Sequence, residues 1–481
     1  MHPYLTMNKI VSYLPESEVL FATKDAMELP LQKITSDSRR AVDSDLFIAI
    51  KGDTFDGNNY LKEVFSQGVR TAIASNKSLV PEGMTTVVVK NTVIAIQTIG
   101  NKWREETNPL LTIVTGSNGK TTVKEMIAEI FKAAVGNAKV WATPGNLNNE
   151  IGLPLTLLQL NANHQLAVIE VGMNHPGETR LLANIAKPNI SIINNAQREH
   201  QEFMQSVEAV ALEHADAIRA LPPHGIAIFP SDSEYSILWR EVAGQRACVD
   251  FEFLEAVSQQ SQAVVQGLWD SSKHLRVRIK PIFKFGTEQI LTIELAILGK
   301  HNAKNALAAV AVGIAAGVAL KEIKIGLENF RPVKGRMRSH QIRKTEPIHI
   351  IDDTYNANPD SVIAAIDVLA EQQGDRWLIL GDMGEVGPHG KAFHEEVGVY
   401  AQKLGIEYLF GMGELAAHAV KSFKQSEKSI HVPHMEDLLA LLKEKLLQPR
   451  GKELHILVKG SRFTKMERAV DYLLLEGKEC S

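Results

Sequence analysis

A short glycine-rich loop carries the residues of this chain that most clearly suggest chemistry. The segment TGSNGKTT, residues 115–122, lies between the apolar run LLTIVT and a helix-like pattern that begins at Lys120. Glycines let a backbone wrap around an anion, and N–H groups at a helix start attract phosphate. We expect Lys120 to reach the terminal phosphates of a nucleotide and Thr121 to hold Mg²⁺. The predicted nucleotide-binding loop comprises Gly116, Ser117, Asn118, Gly119, Lys120, Thr121 and Thr122.

This loop is shorter than the common phosphate-binding form GxxxxGK[ST]. The first glycine of that form would fall at Val114. The predicted strand before the loop and the predicted helix after it still favour phosphate binding over a chance turn. Such a loop predicts that the chain binds a nucleotide, but it does not predict the reaction.

Polar residues also stand where several apolar runs end. Glu170 closes the run AVIE, and a buried carboxylate there is costly unless a cation meets it. The pairs Asp352-Asp353 and Gly381-Asp382, and the triplet 459–461, close three later runs. Since parallel sheets bind ligands at the carboxyl ends of their strands, we expect these residues to share one site.

The elements that must position these residues follow an alternating pattern. Predicted buried strands at 110–116, 165–171, 190–194 and 226–229 make up the second part of the chain, and 249–298 is β-rich without a clear strand order. Beyond Arg331-Pro332, strands at 348–353, 376–382, 407–413 and 454–461 alternate with helices, which predicts a parallel sheet. The predicted class is α/β with three domains: a small α/β domain (1–108), a central P-loop ATPase-like parallel-sheet domain (109–331) and a C-terminal Rossmann-like domain (332–481).

Composition excludes several classes of protein. The 481 residues are 44% hydrophobic and 22% charged, values typical of a globular enzyme rather than a disordered chain. The net charge of −4 and the lack of a long basic run argue against nucleic acid as a partner. The two cysteines, Cys248 and Cys480, form no zinc or disulfide pattern and favour a reducing cytosol. We expect neither a signal peptide nor membrane insertion.

Longer motifs resemble the Mur ligase family, which includes folylpolyglutamate synthases. The short TGxxGKTT loop is typical of that family. Further similar segments are TPGNLNNEIGLPLTLL (143–158), LGKHNAKNALAA (298–309), IDDTYNANPDSV (351–362), LGDMGEVG (380–387) and VKGSR (458–462). The segment 36–61 resembles the family's UDP-sugar-binding domain. The matches cover all three predicted domains in order, and the combination of IDDTYNANPDSV with LGDMGEVG points to the branch that adds D-alanyl-D-alanine.

The resemblance implies an amide ligation through an acyl phosphate. ATP would phosphorylate the terminal carboxylate of a UDP-N-acetylmuramoyl tripeptide, and the amine of D-alanyl-D-alanine would then displace phosphate. The product would be the UDP-linked pentapeptide of peptidoglycan synthesis, made in the cytoplasm by a monomer that uses Mg²⁺. Whether the third peptide residue is diaminopimelate or lysine stays open. We also expect the domains to close, because Lys120 and Arg336 would have to meet at one phosphate.

The same resemblance implies roles for residues outside the loop. Glu170 and His200 would bind Mg²⁺ with Thr121, and Arg336 would reach the γ-phosphate across the domain gap. The residues implied beside the nucleotide are Asn305, Arg336, Asp353, Tyr355, Asn356 and Asn358. The residues implied to bind the other substrates are Ser36, Ser38, Arg39, Lys51, Asp56, Asn58, Asn149, Lys459, Ser461 and Arg462.

One position departs from the family pattern. Many members carry a carbamoylated lysine at the metal site, in a segment similar to AKAKGE, and His214 falls at that position here. Histidine cannot form a stable carbamate of the same charge. Either His214 or Glu213 substitutes, or the second Mg²⁺ is held differently; an ordinary role for His214 in a helix is equally open.

Three other functions compete with this interpretation. Another Mur-type ligase or a folylpolyglutamate synthase would share the loop but differ in its first domain or C-terminal motifs. A P-loop NTPase switch would hydrolyse ATP without either ligase substrate. A nucleotide-sugar-binding regulator would bind the same ligands without turnover.

Overall fold

The computed structural model describes residues 4–42, 45–52, 54–256, 258–270, 273–342, 347–425, 427–448 and 452–479. Cys480 lies outside these residues, and Cys248 is a half-buried free thiol. Within the described residues, no helix has both the length and the apolar character needed to cross a membrane.

The first sheet has five strands. They are β1 (Glu18–Leu20), β2 (Ile34–Thr35), β3 (Leu46–Ile48), β4 (Thr71–Ala74) and β5 (Thr85–Val88), accompanied by α1 (Met7–Tyr13), α2 (Lys24–Glu28) and α3 (Leu61–Ser66). The strand order is β1-β5-β4-β3-β2, and all pairs are parallel except β1 with β5. The three central strands are buried, as expected of parallel strands covered on both faces.

A long helix, α4 (Thr92–Thr107), joins this sheet to the next domain. Trp103 is buried and its indole N–H donates to the carbonyl of Leu160, 2.8 Å away. The buried guanidinium of Arg104 donates to the carbonyl of Ala186 and to Asn189, and burial lowers the pKa of Arg104 to about 10. Helix α4 is therefore anchored to the central domain, although the predicted boundary at residue 108 assigns it to the first one.

The central sheet has six parallel strands. They are β6 (Leu110–Thr115), β7 (Val140–Ala142), β8 (Leu166–Glu170), β9 (Ile190–Ile193), β10 (Ile226–Ile228) and β11 (Ala247–Cys248), in the order β11-β10-β9-β6-β8-β7. Its helices are α5 (Lys120–Val135), α6 (Gly152–Leu158), α7 (Glu178–Ala186), α8 (Val207–Arg219) and α9 (Ser236–Ala243). The sheet order switches direction at β6, so the loop after β6 opens at a topological switch point, where such sheets bind ligands.

A second, smaller sheet completes the central domain. Its strands are β12 (Phe251–Leu254), β13 (Val265–Trp269), β14 (His274–Ile279) and β15 (Gln289–Glu294), followed by α10 (Lys300–Ala315) and α11 (Leu320–Asn329). Helices α10 and α11 pack on α5, and Gly326 touches the backbone of Ile130 so closely that a Cβ would not fit. This packing fixes α5, and with it the phosphate loop.

The C-terminal sheet also has six strands. They are β16 (Arg338–Ile342), β17 (Ile348–Asp353), β18 (Asp375–Gly381), β19 (Tyr408–Met412), β20 (Ser429–Val432) and β21 (Leu454–Lys459), in the order β16-β17-β21-β18-β19-β20. Its helices are α12 (Pro359–Ala370), α13 (Gly390–Lys403), α14 (Ala416–Ser422), α15 (Met435–Leu446) and α16 (Glu467–Glu479). Only β16 is antiparallel among these pairs, and the predicted α/β class is confirmed.

Candidate active site

A cavity of about 1210 Å³ lies between the central and C-terminal domains. The carboxyl ends of strands from both domains face it: Glu170 at the end of β8, and Asp353 and Lys459 at the ends of β17 and β21. The phosphate loop after β6 lines the same cavity. Glu170, Asp353, Lys459 and Ser461 therefore share one site, as the sequence suggested. The expectation does not hold for Gly381 and Asp382, which do not line the cavity; the Asp382 carboxylate accepts instead from the N–H of Ala416 at the start of α14.

The phosphate loop is shaped by glycines and braced by asparagines. Gly116 has φ 134° and Gly119 has φ 80°, conformations that favour glycine. A Cβ on Gly119 would lie 2.4 Å from the Asn305 side-chain oxygen. Asn305 in turn accepts a 2.9 Å hydrogen bond from Asn194. Asn305 thus lies against the loop, at the place that suits contact with a bound nucleotide.

Lys120 begins helix α5 and turns back over the loop. Its ammonium donates to the carbonyls of Gly116 and Ser117, at 2.5 and 3.1 Å, and lies 3.3 Å from the carboxylate of Glu199. The Lys120 side chain is 15% exposed and that of Glu199 only 4%. The charge that would meet a phosphate is therefore neutralised by a carboxylate of the same domain.

Glu199 is held from its other side by His214. The His214 imidazole is fully buried in α8; its Nε2 lies 3.0 Å from Glu199 and its Nδ1 lies 3.0 Å from the hydroxyl of Thr115. Burial alone would raise the pKa of the Glu199 carboxyl, but the Lys120 ammonium and the hydrogen bond to His214 outweigh it and hold that pKa well below its usual range. Glu199 is consequently ionised at neutral pH.

This geometry bears on whether His214 or Glu213 replaces the carbamoylated lysine or whether His214 is an ordinary helix residue. His214 is no ordinary helix residue, because both of its ring nitrogens are engaged beside the phosphate loop. Glu213 points elsewhere: its carboxylate accepts from the backbone N–H groups of Gly177 and Thr179 at the start of α7, at 2.9 and 2.8 Å. Of Glu199, Glu213 and His214, Glu199 is the residue whose negative charge lies beside the phosphate loop.

The residues predicted to hold Mg²⁺ fit a hard divalent cation. Glu170 is 2% exposed; one of its oxygens accepts from Asn148 at 2.8 Å, and the other is buried without a partner. An orphaned carboxylate oxygen is costly unless a cation or water meets it. The hydroxyl of Thr121, in the first turn of α5, lines the same cavity. Oxygen donors of this kind are what Mg²⁺ prefers.

His200 faces the same cavity from the loop beyond β9. Its Nδ1 lies 2.7 Å from Glu385, a residue of the C-terminal LGDMGEVG segment, and its Nε2 lies 3.7 Å from Glu199. The contact with His200 lowers the pKa of the Glu385 carboxyl. His200 has φ 47°, a left-handed conformation that is uncommon outside glycine and clusters at functional sites.

The side of the cavity formed by the C-terminal domain, called the C-terminal wall below, carries an ion pair of its own. Lys459 is 3% exposed, and its ammonium lies 2.5 Å from Asp353 and donates to the carbonyl of Asn356 at 2.9 Å. Arg336 stacks over the ring of Tyr355, with 4.0 Å between the guanidinium carbon and the ring centroid. Stacking leaves the guanidinium edge open to an anion.

Other predicted C-terminal residues have defined partners. The Ser461 hydroxyl donates to the Ala357 carbonyl at 3.0 Å and accepts from the N–H of Gly384 at 2.7 Å. Arg462 is more exposed, at 68%, and pairs with Glu467 at 3.1 Å. Ser461 therefore supports the wall of the cavity, whereas Arg462 stands at its mouth.

The two domains touch directly at the phosphate loop. Asn118 and Asn358 exchange hydrogen bonds of 2.9 and 3.3 Å between their side-chain amides. Arg198 reaches across to Asp360 at 2.6 Å and to Glu396 at 2.8 Å. The C-terminal domain is thus docked on the loop that would receive the nucleotide.

His301 lies near the Asp353–Lys459 pair at the start of α10. Burial lowers the pKa of His301 to about 4, and its Nε2 accepts from the side-chain amide of Asn302 at 2.9 Å. Asn302 also donates to the carbonyl of Leu298 at 2.7 Å, which braces the first turn of α10. His301 is accordingly a neutral hydrogen-bond acceptor here.

The cavity collects most of the predicted site residues but not those of the first domain. Those that line it are Ser117, Asn118, Gly119, Lys120, Thr121, Thr122, Asn149, Glu170, His200, Asn305, Arg336, Asp353, Tyr355, Asn356, Asn358, Lys459, Ser461 and Arg462. Those that do not are Gly116 of the phosphate loop and the first-domain residues Ser36, Ser38, Arg39, Lys51, Asp56 and Asn58.

The first-domain residues have structural contacts of their own. Asp56 caps a short 3₁₀ turn, and the buried Asn58 ties that turn to the backbone of Ser75 at 2.9 Å. Arg39 is exposed and pairs with Asp37 at 2.8 Å. A role for these residues in binding a substrate stays a prediction.

Sequence reasoning missed Glu199 and Glu385. Both lie in loops, where no periodicity marks them. The usable signal for Glu199 was its place next to His200 and before an unexpected histidine at position 214.

The chain is similar to known proteins in both sequence and structure. Residues 114–313 match the Mur ligase middle domain, and 335–462 match the Mur ligase glutamate ligase domain. The UDP-N-acetylmuramoyl-tripeptide–D-alanyl-D-alanine ligase of Haemophilus influenzae is 36% identical over 94% of this chain and 95% of its own length. The enzyme of the same name from Escherichia coli is 33% identical over 96% and 98%. A crystal structure of MurF from Acinetobacter baumannii superposes with a TM-score of 0.83 at 29% identity, covering 98% of both chains.

Proposed function

The chain belongs to the Mur ligase family, and we propose that it is the ATP-dependent ligase that joins D-alanyl-D-alanine to a UDP-N-acetylmuramoyl tripeptide. The observation that carries the proposal is the cavity between the two domains, where a phosphate loop faces a second set of cationic and polar strand ends. An enzyme that only hydrolyses a nucleotide has no need of that second wall. A ligase needs it to align an acceptor carboxylate and an amine against the γ-phosphate.

In the first step, an oxygen of the tripeptide's terminal carboxylate attacks the γ-phosphorus and the bond to the β-phosphate oxygen breaks, which releases ADP. Charge accumulates on the transferring phosphoryl group, and the chain places cations around it. Lys120 approaches from the loop and Arg336 from the opposite domain. Lys120 must exchange Glu199 for phosphate, whereas Arg336 is held by its stacking on Tyr355.

A divalent cation, proposed to be Mg²⁺, would be held by Glu170, Thr121 and His200. When bound, it offsets the negative charge of the phosphates. The second oxygen of Glu170 supports this assignment, because it is buried without a hydrogen-bond partner in a residue that lines the cavity. Asn148 fixes the orientation of the Glu170 carboxylate through its 2.8 Å hydrogen bond.

In the second step, the free amine of D-alanyl-D-alanine attacks the acyl carbon. The acyl–oxygen bond breaks, inorganic phosphate leaves with the bonding electrons, and the nitrogen gives up one proton to the departing phosphate. The C-terminal wall supplies cations for the carboxylates of the two peptides, and Arg462 at the cavity mouth is the more exposed of them. We place Lys459 deeper, as a charge that orients Asp353 for a ribose hydroxyl. The uridine diphosphate would lie against the first domain. The enzyme would act in the cytoplasm as a monomer.

The test is phosphate release from ATP and Mg²⁺, with the tripeptide and D-alanyl-D-alanine added singly and together. Release that requires both, with a UDP-linked pentapeptide identified by mass spectrometry, is the expected result. Release without either substrate would instead favour an NTPase switch. Release with a different amino acid but not with the dipeptide would favour another ligase of the family.

A further inference from the structure

The phosphate loop shares its immediate surroundings with a buried acid that the mechanism above does not use. Glu199 lies directly before His200, and its carboxylate contacts Lys120 at 3.3 Å and His214 at 3.0 Å. His200 lies 3.7 Å away. A carboxylate that is 4% exposed is expensive to ionise unless the site needs its charge.

The contacts of His214 show that this acid is held in a fixed position. If the Thr115 hydroxyl donates to Nδ1, then Nε2 carries the ring proton and donates to Glu199, so that both 3.0 Å contacts are satisfied by a neutral imidazole. Thr115 is the last residue of β6 and immediately precedes Gly116 of the loop. The orientation of Glu199 is therefore tied to the strand that carries the phosphate loop.

In this structure Glu199 is paired with Lys120, and the proposed reaction breaks this pair. When Lys120 turns to the γ-phosphate, the Glu199 carboxylate loses its cation while remaining buried beside His200. An unpaired buried charge is costly, and a divalent cation is the group that restores the balance. Glu170, with its own unpartnered oxygen, faces the same cavity.

We propose that Glu199 is a carboxylate of the metal site, exchanging Lys120 for a divalent cation when nucleotide binds, and that His214 and Thr115 position it. The inference rests on the proposed function. It also gives the site a built-in negative charge at the phosphate loop. Helix α8, which carries His214, contains no lysine, so bicarbonate has no lysine on that helix to modify.

Binding of Mn²⁺ in place of Mg²⁺ tests this directly, because free Mn²⁺ is measured by electron paramagnetic resonance without any turnover. The full-length chain is titrated in the presence of a non-hydrolysable ATP analogue and the UDP-linked tripeptide. In Glu199→Gln we expect one Mn²⁺ site to weaken by about 10- to 100-fold. Glu199→Asp, which keeps the charge, should recover part of the affinity, and His214→Leu should lose affinity although it removes no ligand.

Asp216→Asn is the matched control. Asp216 is a buried acid of the same helix as His214, but it pairs with Arg180 and Arg219 on the other side. We expect it to change stability and to leave Mn²⁺ affinity unchanged. Wild-type turnover should also be the same in buffer freed of carbon dioxide as in buffer with added bicarbonate.

The outcomes separate the two proposals. Wild-type Mn²⁺ affinity in Glu199→Gln, with pentapeptide formation intact in the wild type, would overturn the role of Glu199 and leave the ligase function standing. Weakened Mn²⁺ binding in the variant, with no pentapeptide from the wild type, would overturn the function and leave the carboxylate in the metal site. Turnover that requires bicarbonate would contradict the proposal that Glu199 supplies this negative charge without a modified lysine.

Discussion

At the scale of single residues, the Lys120–Glu199 pair links stability to catalysis. Removal of one partner from a buried ion pair leaves an uncompensated charge, which typically costs about 3–5 kcal/mol. Lys120→Ala should therefore lose both functions of the lysine. We expect ligase turnover to fall by about 100- to 1000-fold and the free energy of unfolding to decrease.

The double variant separates these two effects. Lys120→Ala with Glu199→Gln should regain most of the lost stability, because no unpaired charge remains, and should regain no turnover. Urea unfolding and phosphate release measure the two quantities. Equal stability of the single and double variants would mean that the pair is not coupled, and unchanged turnover in Lys120→Ala would remove the phosphate-loop assignment.

Gly119 gives a second prediction at this scale. Gly119→Ala puts a Cβ 2.4 Å from the Asn305 oxygen in a backbone with φ 80°, so the loop must distort. We expect nucleotide affinity, measured by calorimetry, to be largely lost. Gly136→Ala is the matched control, since Gly136 has φ 88° and open space around it. It should cost stability alone; equal loss of affinity in both variants would argue against a local effect.

At the scale of elements, strands and helices with strong periodicity could be predicted from the sequence. The runs around β6, β8 and β17 are apolar and end at polar residues, and α5 follows with a helical apolar face. The antiparallel strand β16 could not be predicted, because RSHQI is exposed along most of its length and carries no apolar alternation. Its place depends on pairing with β17, which is a tertiary contact.

Some residues of the site could likewise be predicted from the sequence, and others could not. Glu170, Asp353 and Lys459 were found because they end apolar strands. Glu199 could not be found this way, since its importance comes from contacts with Lys120 and His214, which are 79 and 15 positions away. Side chains brought together from a loop, a helix start and a second helix leave no spacing pattern in one sequence.

Helix α4 supports a prediction about how the elements are grouped. Trp103→Phe keeps most of the buried ring but leaves the Leu160 carbonyl without its donor, which should lower the free energy of unfolding by about 1–3 kcal/mol. Differential scanning calorimetry should show the loss in the transition of the central domain. Lys102→Ala, at a half-exposed position on the same helix, is the control and should have little effect. A shift confined to the first domain would instead place α4 there.

At the scale of the whole molecule, Arg198 joins the central domain to the C-terminal domain through ion pairs. It contacts Asp360 and Glu396 and lies 5.3 Å from the ring centroid of Phe393. Arg198→Ala should increase the radius of gyration of the ligand-free chain, measured by small-angle scattering. A non-hydrolysable ATP analogue with the tripeptide should restore it, because the ligands bridge the two walls.

Arg219→Ala provides the comparison, since Arg219 forms its ion pair with Asp216 inside the central domain. It should leave the radius of gyration unchanged. If Arg198→Ala also leaves it unchanged, the domains are held by other contacts, and if no form compacts with ligands, the expected closure does not occur.

The contact of the Glu199 carboxylate with Lys120 has a consequence for competition among cellular anions. A ligand whose phosphate binds Lys120 has to displace this internal anion. Inorganic phosphate arrives without a companion cation for Glu199, and AMP has no β- or γ-phosphate to reach the Lys120 position, whereas ATP brings its γ-phosphate and a companion cation. We therefore expect the empty loop to discriminate strongly in favour of triphosphates, so that ligation would continue when phosphate and AMP accumulate in a starved cell.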